Sequence, residues 1–539
     1  MGYNIPPHME KAKILVADPI SDRGVEILRA NPNFSVDVKT GLKEDALLPI
    51  IGEYAALVVR SQTKVNAKVI AAAKQLRVVG RAGVGVDNVD VDAATKRGII
   101  VMNTPGGNTI STAEHTFSMM MALSRNIPQA HATMKAGQWD RKSFEGVELF
   151  NKTLGIVGMG RIGGEVARRA IAFGMRVLAY DPFLSVSRAK ALQVEVVELD
   201  EIYAKSDYIT VHVPMTEQTK GMINTATIAK MKTGVRLINC ARGGIINEAD
   251  LATAIQAGKV AGAALDVYEV EPLPADSPLR GLAQVIMTPH LGASTQEAQE
   301  SVGIEVAEQI ADALAGGTIR NAVNMPSLDA KTLAFLQPFL TFGETLGRLV
   351  AQLSPRRVER LAVEFCGKAA ELETNPITRS VLKGFLEGAE GGDVNYVNAL
   401  VIAEQLGVHV DEVKSTEPID YTELINVRTF VNGQTASVSG TFYGGFSIPR
   451  IVRINEMPVE VVPTGVLLIL TNKDRPGIVG WIGTVMGENG VNIASMSLGR
   501  DTPGGKALTV LNLDSVPSEQ IVAAIKGDKD IFDVKVVKL

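Results

Sequence analysis

Cysteine is scarce in this chain, with Cys240 and Cys366 the only two in 539 residues. That is too few for a disulfide framework or a zinc cluster, and it fits free thiols in a reducing compartment. Long apolar runs are missing as well. Although 46% of the residues are hydrophobic, no run approaches the roughly 18 to 20 residues that a membrane-spanning helix needs. Charge of one sign is not in excess: 54 Lys and Arg against 59 Asp and Glu leave a net charge of −5. This excludes the global electrostatic footprint of a nucleic-acid or anionic-membrane partner, so any basic site must be local. Residues 1–9 lack the charged and apolar regions of a signal peptide and read as leader sequence. The fold is expected to begin near Lys13 and the protein to be cytoplasmic. No short-period repeat is visible.

The length calls for several domains, at roughly 150 residues each. Short apolar runs alternate with amphipathic stretches, the pattern of parallel sheets covered by helices. Runs at 14–17, 56–59, 77–80 and 99–102 define a first α/β unit, and a helical stretch from Ser111 to Ala136, interrupted at Pro128, follows it. A second unit has strands expected at 154–157, 176–180, 208–213, 235–239, 263–267 and 285–288. The helix 296–315 then returns the chain to the first unit. The expected domains are 10–104 with 295–324 for substrate, 105–294 for a dinucleotide, a mixed α+β domain at 325–460, and a small ferredoxin-like βαββαβ module at 465–539. Asn432-Gly433 marks a hairpin within the third.

The strand Thr153-Leu154-Gly155-Ile156-Val157 runs into Gly158-x-Gly160-Arg161-Ile162-Gly163 and then into a helical pattern. In this context the glycines form a dinucleotide fingerprint: one for the turn, one for approach of the pyrophosphate, one for packing of helix on strand. Asp181, at the end of the next strand, can accept from ribose hydroxyls and repel a 2′-phosphate, which selects NAD over NADP. Of six histidines, His290 stands out because it lies just past a strand's carboxyl end, where open α/β sheets hold ligands. His212 reads as pocket wall, His115 and His131 as structural or exposed, and His8 and His409 have no motif around them. Arg242 and Glu271 follow two other strand ends, so three can converge; the alternative is ordinary surface polar residues. Cys240, beside Arg242, reads as a buried apolar residue.

Gly158 to Gly163, Asn239-Cys240-Ala241-Arg242-Gly243-Gly244, Ala264-Leu265-Asp266-Val267-Tyr268 and Thr288-Pro289-His290 together resemble the D-isomer-specific 2-hydroxyacid dehydrogenases. The resemblance implies a Rossmann cofactor domain inserted in a flavodoxin-like lid domain. It implies that His290 exchanges a proton with the substrate C2 oxygen, that Glu271 supports the protonated imidazole, and that Arg242 orients the carboxylate. It places NAD against Gly158, Gly160, Arg161, Ile162, Gly163, Asp181, Cys240, Ala241, Arg242, Asp266, His290, Gly292 and Ala293, with Asp266 at the nicotinamide carboxamide. Arg60 and Arg81 both follow apolar strands and resemble, with Ser61, Gly83, Val84, Gly85 and Asn108, the substrate-holding positions of the branch that oxidises 3-phosphoglycerate to open serine synthesis; arginine suits a phosphate. Glyoxylate or hydroxypyruvate reductases and a cofactor-sensing corepressor share the trio, but everything after Asn324 argues against both.

Asn472-Lys473-Asp474-Arg475-Pro476-Gly477, followed by Asn492, resembles an ACT domain, a regulatory module for small ligands. It implies an L-serine effector at Asn472, Asp474 and Asn492, although Asn472 stands where serine sites carry an aromatic residue or histidine. The expected assembly is a homo-oligomer, a homotetramer joined through cofactor and ACT domains, without nucleic acid, membrane or metal.

Overall fold

The structure, a computed structural model, describes residues 11–390, 394–415, 420–445 and 448–539, so the leader reading of residues 1–9 and His8 lie outside the described residues. Its first sheet is wholly parallel, in the spatial order Phe34–Val38, Ala12–Val16, Ala56–Val59, Val78–Arg81, Ile100–Asn103. This is the flavodoxin-like order. The strand Ala56–Val59 is buried along its whole length, as expected of a sheet covered on both faces. One cover comes from far away in sequence: the helix Gln296–Leu314 lays Val302, Val306, Ala307 and Ile310 on this sheet. It meets the helix Asp22–Ala30 so closely that a Cβ on Gly24 would stand 2.4 Å from the Gly303 carbonyl oxygen. Asn324 completes the return, accepting from the Val101 amide at 3.0 Å.

The second sheet has seven parallel strands in the order Val285–Met287, Val260–Leu265, Val235–Asn239, Tyr208–Val211, Thr153–Val157, Arg176–Tyr180, Glu195–Val196. The strand order reverses between Thr153–Val157 and Tyr208–Val211, and a Rossmann sheet binds its ligand in the crevice at that point. The crossover helix Thr109–Ser124 joins the two units. The expected break at Pro128 lies earlier, at Asn126 in the left-handed conformation (φ 52°), and Pro128 sits inside the first turn of the next helix, Ile127–Lys135. Proline is tolerated there because the first-turn N–H groups have no helical partner.

The third domain is a six-stranded mixed sheet against the paired helices Ala330–Leu353 and Thr374–Glu390. Its hairpin turns at Asn432 and Gly433, both left-handed (φ 46° and 78°), as the Asn-Gly pair predicts. Asn395 donates to the Gly98 carbonyl at 2.9 Å, so this domain touches the first. The last module is a four-stranded antiparallel sheet in the order Ile493–Arg500, Lys506–Leu513, Val466–Lys473, Ile531–Lys538. Both its faces are covered: Leu468, Leu470 and Leu511 by its own helices, and Leu467, Ile469, Leu508, Val510 and Val537 by the third domain's core.

Candidate active site

The turn after Thr153–Val157 is built as the glycine pattern requires. Gly158 has φ 95°, and a Cβ on Gly163 would lie 2.1 Å from the Gly158 carbonyl, whereas one on Gly160 would meet nothing within 4 Å. The space over Gly160, at the N-terminus of the helix Arg161–Ala172, is what a pyrophosphate needs. Asp181 accepts from the Met159 amide at 2.8 Å and the Phe183 amide at 2.8 Å, which presents its carboxylate beside the loop. Arg161 reaches the connection that leads into the crossover helix, its Nη1 lying 2.9 Å from where a Gly106 Cβ would be. The residues present fit NAD.

A crevice of about 460 Å³ opens between the two units and gathers Val84, Gly85, Asn108, Ile162, Cys240, Ala241, Arg242, Asp266, His290, Gly292 and Ala293. His290 Nδ1 lies 2.8 Å from Glu271 Oε2, and Glu271 Oε1 accepts from the Tyr268 amide at 3.1 Å. The carboxylate is thus held from behind while it engages the imidazole. Because a carboxylate has only lone pairs, Nδ1 carries the proton and Nε2 is left to act on a ligand. A separate cavity of about 530 Å³ lies on the other side of this dyad, where Pro272, Leu273 and Met287 line it. It lacks Arg242 and Asn108 and shares only His290 with the interdomain crevice.

Arg242 is presented by a turn that Asn239 staples at both ends, accepting from the Ala241 amide (3.0 Å) and donating to the Arg242 carbonyl (2.8 Å). Its guanidinium pairs with Asp87 at 3.3 Å, a residue that the sequence reading passed over. Arg60, Ser61 and Arg81 line up on the first unit rather than in the crevice wall itself. Asp18, wholly buried, accepts from the amides of Arg60 (2.7 Å), Gln62 (3.1 Å) and Thr63 (3.1 Å) and so shapes the Arg60–Ser61 turn. Arg81 Nε donates to the Arg60 carbonyl at 3.1 Å. Burial, then the nearby Arg242 and Arg60 cations, push the Arg81 pKa down to about 10. A partly desolvated cation cluster of this kind is relieved by an anion.

Two buried polar atoms among the lining residues have no partner, Asn108 Oδ1 and His212 Nδ1. Burial pushes His212 down to about 4, so it is neutral and acts as wall. The Cys240 thiol is pushed up to about 12 by burial and the Asp266 charge, which fits its reading as an apolar filler. His131 and His409 are exposed. Of the two readings for His115, the structural one applies: it is half-buried and its Nε2 lies 3.2 Å from Asp266 Oδ1. No local pattern announces that contact, since the partners are 151 residues apart.

In the last module each of the expected effector groups is held by a neighbour outside that set. Asn472 is buried, donates from Nδ2 to the Lys473 carbonyl (2.9 Å) and accepts at Oδ1 from Thr509 Oγ1 (3.0 Å). Asp474 pairs with Arg500 at 2.9 Å, and Asn492 donates to Asp514 at 2.7 Å.

A Rossmann crevice holding a glycine-turn anion cradle, a histidine–carboxylate dyad and a facing arginine defines an NAD-dependent dehydrogenase of 2-hydroxy acids. Family models agree: residues 117–292 match the D-isomer specific 2-hydroxyacid dehydrogenase NAD binding domain, 335–455 the D-3-phosphoglycerate dehydrogenase intervening domain, and 466–529 the ACT domain. The chain belongs to the D-3-phosphoglycerate dehydrogenase family. It is 45% identical over 98% of its length to the enzyme of that name from Archaeoglobus fulgidus, covering 100% of that relative, and 46% identical over 98% to that from Synechocystis, covering 95%. Among solved structures it resembles D-lactate dehydrogenase from Aquifex aeolicus complexed with NAD and lactic acid (29% identity, TM-score 0.52, 58% of this chain and 100% of that one). A glyoxylate reductase from Paecilomyes thermophila is similar to the same degree (30% identity, TM-score 0.55, 58% and 99%).

Proposed function

We propose that this protein oxidises 3-phospho-D-glycerate to 3-phosphohydroxypyruvate with NAD, the opening step of L-serine synthesis. The observation that carries the reading is one crevice in which His290, paired from behind with Glu271, shares space with Arg242, backed by the Arg60 and Arg81 cations. Bound NAD supplies the hydride acceptor. His290 Nε2 takes the C2 hydroxyl proton as the hydride leaves, while Glu271 fixes the tautomer and offsets the positive charge that the imidazole gains. Arg242 pairs with the substrate carboxylate. Arg60, Ser61, Arg81, Asn108 and the backbone of Gly83, Val84 and Gly85 hold the phosphate end. Gly158, Gly160, Arg161, Ile162 and Gly163 hold the pyrophosphate of NAD and Asp181 its ribose. Cys240, Ala241, Asp266, Gly292 and Ala293 surround the nicotinamide end. Purified protein is expected to reduce NAD with 3-phospho-D-glycerate and to be far slower with D-lactate or D-glycerate. Equal turnover of the unphosphorylated acids would refute it.

The ACT module supports control by an amino acid, and L-serine is the proposed effector, bound by Asp474 and Asn492 with Asn472 shaping the site from behind. Serine should lower the activity of the intact enzyme and lose its effect in Asn492→Ala; an enzyme indifferent to serine would retire the proposal. The proposed assembly is a cytoplasmic homotetramer. Trp139, 79% exposed, and the exposed Met134 and Phe150 are apolar side chains of the cofactor unit that a second copy would cover.

A further inference from the structure

The loop that carries His290 is gathered around a buried carboxylate. Asp266 is 1% exposed and takes four donors: Thr288 Oγ1 (2.6 Å), the Leu291 amide (2.7 Å) and His115 Nε2 (3.2 Å) on Oδ1, and the Gly292 amide (2.8 Å) on Oδ2. His290 lies immediately before two of these amides and is itself in the left-handed region at φ 57°, where a side chain is strained and must be held by its surroundings. Burial alone would raise the Asp266 pKa, but hydrogen bonds from His115, Thr288 and Leu291 outweigh it and leave the group below the usual carboxylate value. The clamp is therefore charged at neutral pH.

Three of the four donors belong to the loop region itself. The fourth, His115, comes from the crossover helix Thr109–Ser124, whose N-terminus bears Asn108 in the same crevice. One turn before His115 on that helix, Thr112 donates to the Gly292 carbonyl at 3.2 Å, so the helix grips Gly292 directly and, through Asp266, by its amide. We infer that His115 is a positioning residue: its Nε2–H fixes the Asp266 carboxylate and thereby holds His290 in register with Asn108 on the same helix. The inference rests on the reading that His290 is the proton acceptor. His115 itself is not among the residues that line the crevice.

The test compares His115→Leu, which removes the donor, with His115→Gln, which offers an amide N–H in its place. A hydrogen bond to a charged group is worth about a factor of ten or more. In the ligand-free protein, His115→Leu is expected to speed hydrogen exchange of the Leu291 and Gly292 amides by about tenfold, with the melting temperature lowered by no more than a few degrees. In turnover it should lower kcat by about tenfold with KM for both reactants shifted less than about twofold, because the loss is one of geometry at His290. His115→Gln should recover most of both effects. Unchanged exchange in His115→Leu, a change confined to KM, or no recovery in His115→Gln would each overturn the inference. Failure of the wild-type enzyme to oxidise 3-phospho-D-glycerate would strike the functional reading instead, since the exchange measurement needs no substrate.

Discussion

Replacing Arg81 by methionine separates the price of a preformed anion site from its use. The fall of the Arg81 pKa from 12.5 to about 10 corresponds to roughly 3 kcal/mol of disfavour toward the cation in the folded state. The lost hydrogen bond from the charged guanidinium to the Arg60 carbonyl takes back about 1.5 kcal/mol. Methionine should therefore leave the protein more stable at neutral pH by about 1 to 2 kcal/mol, read as a rise of a few degrees in melting temperature. The sign follows from linkage: a depressed folded pKa means that the wild type gains stability as pH rises through about 10, and Arg81→Met lacks that gain. Catalysis should move the other way. Truncating a buried cation that holds a phosphate costs about 2 to 4 kcal/mol, so kcat/KM for 3-phospho-D-glycerate should fall between about 30-fold and 1,000-fold. For D-glycerate the fall should stay within about threefold. Initial rates of NADH formation and a thermal melt on the same preparation decide the matter. A lowered melting temperature would refute the desolvation argument, and equal losses on both substrates would refute the phosphate assignment.

Three further outcomes are expected. Asp87→Asn frees Arg242 from a carboxylate that is 73% exposed, a pair of little stabilising worth, and should lower KM for substrate by about twofold; a raised KM would show that Asp87 orients the guanidinium instead. His212 is kept neutral, with its pKa at about 4, so an unfolded chain binds a proton that the fold refuses between about pH 6.5 and 4. Melting temperature should drop across that window, and His212→Gln should flatten the drop; an identical acid limb in the variant would count against it. Cys240, with a pKa near 12, should resist iodoacetamide at pH 8 in the folded enzyme, and mass spectrometry showing it alkylated as fast as a free thiol would contradict that.

The two parallel sheets were legible because fully buried strands such as Ala56–Val59 and Tyr208–Val211 are nearly continuous apolar runs. Phe34–Val38 was missed because it is an edge strand whose Ser35 and Asp37 break the run, and Glu195–Val196 because two residues make no pattern. The glycine turn and the positions of Arg242, Glu271 and His290 at strand ends could be read because function there is written into local order. Asp18 and His115 act over 42 or more residues of separation. Nothing near either one distinguishes an organising polar group from an ordinary one, and only the folded topology supplies the partner. The break at Asn126 rather than Pro128 has the same lesson at short range: a left-handed residue ends a helix where a first-turn proline does not.

The four-stranded sheet at the carboxyl end, covered on both faces, bears on how such an enzyme is dissected. Leu467, Ile469, Leu508, Val510 and Val537 belong to the same packed interior as Phe339 and Leu346, so no seam runs along residue 465 where a cut would heal. A shortened chain would carry an open hydrophobic wound on its third domain. Its altered behaviour would report damage to a shared interior, and a lost response to serine in it would say nothing about where serine binds.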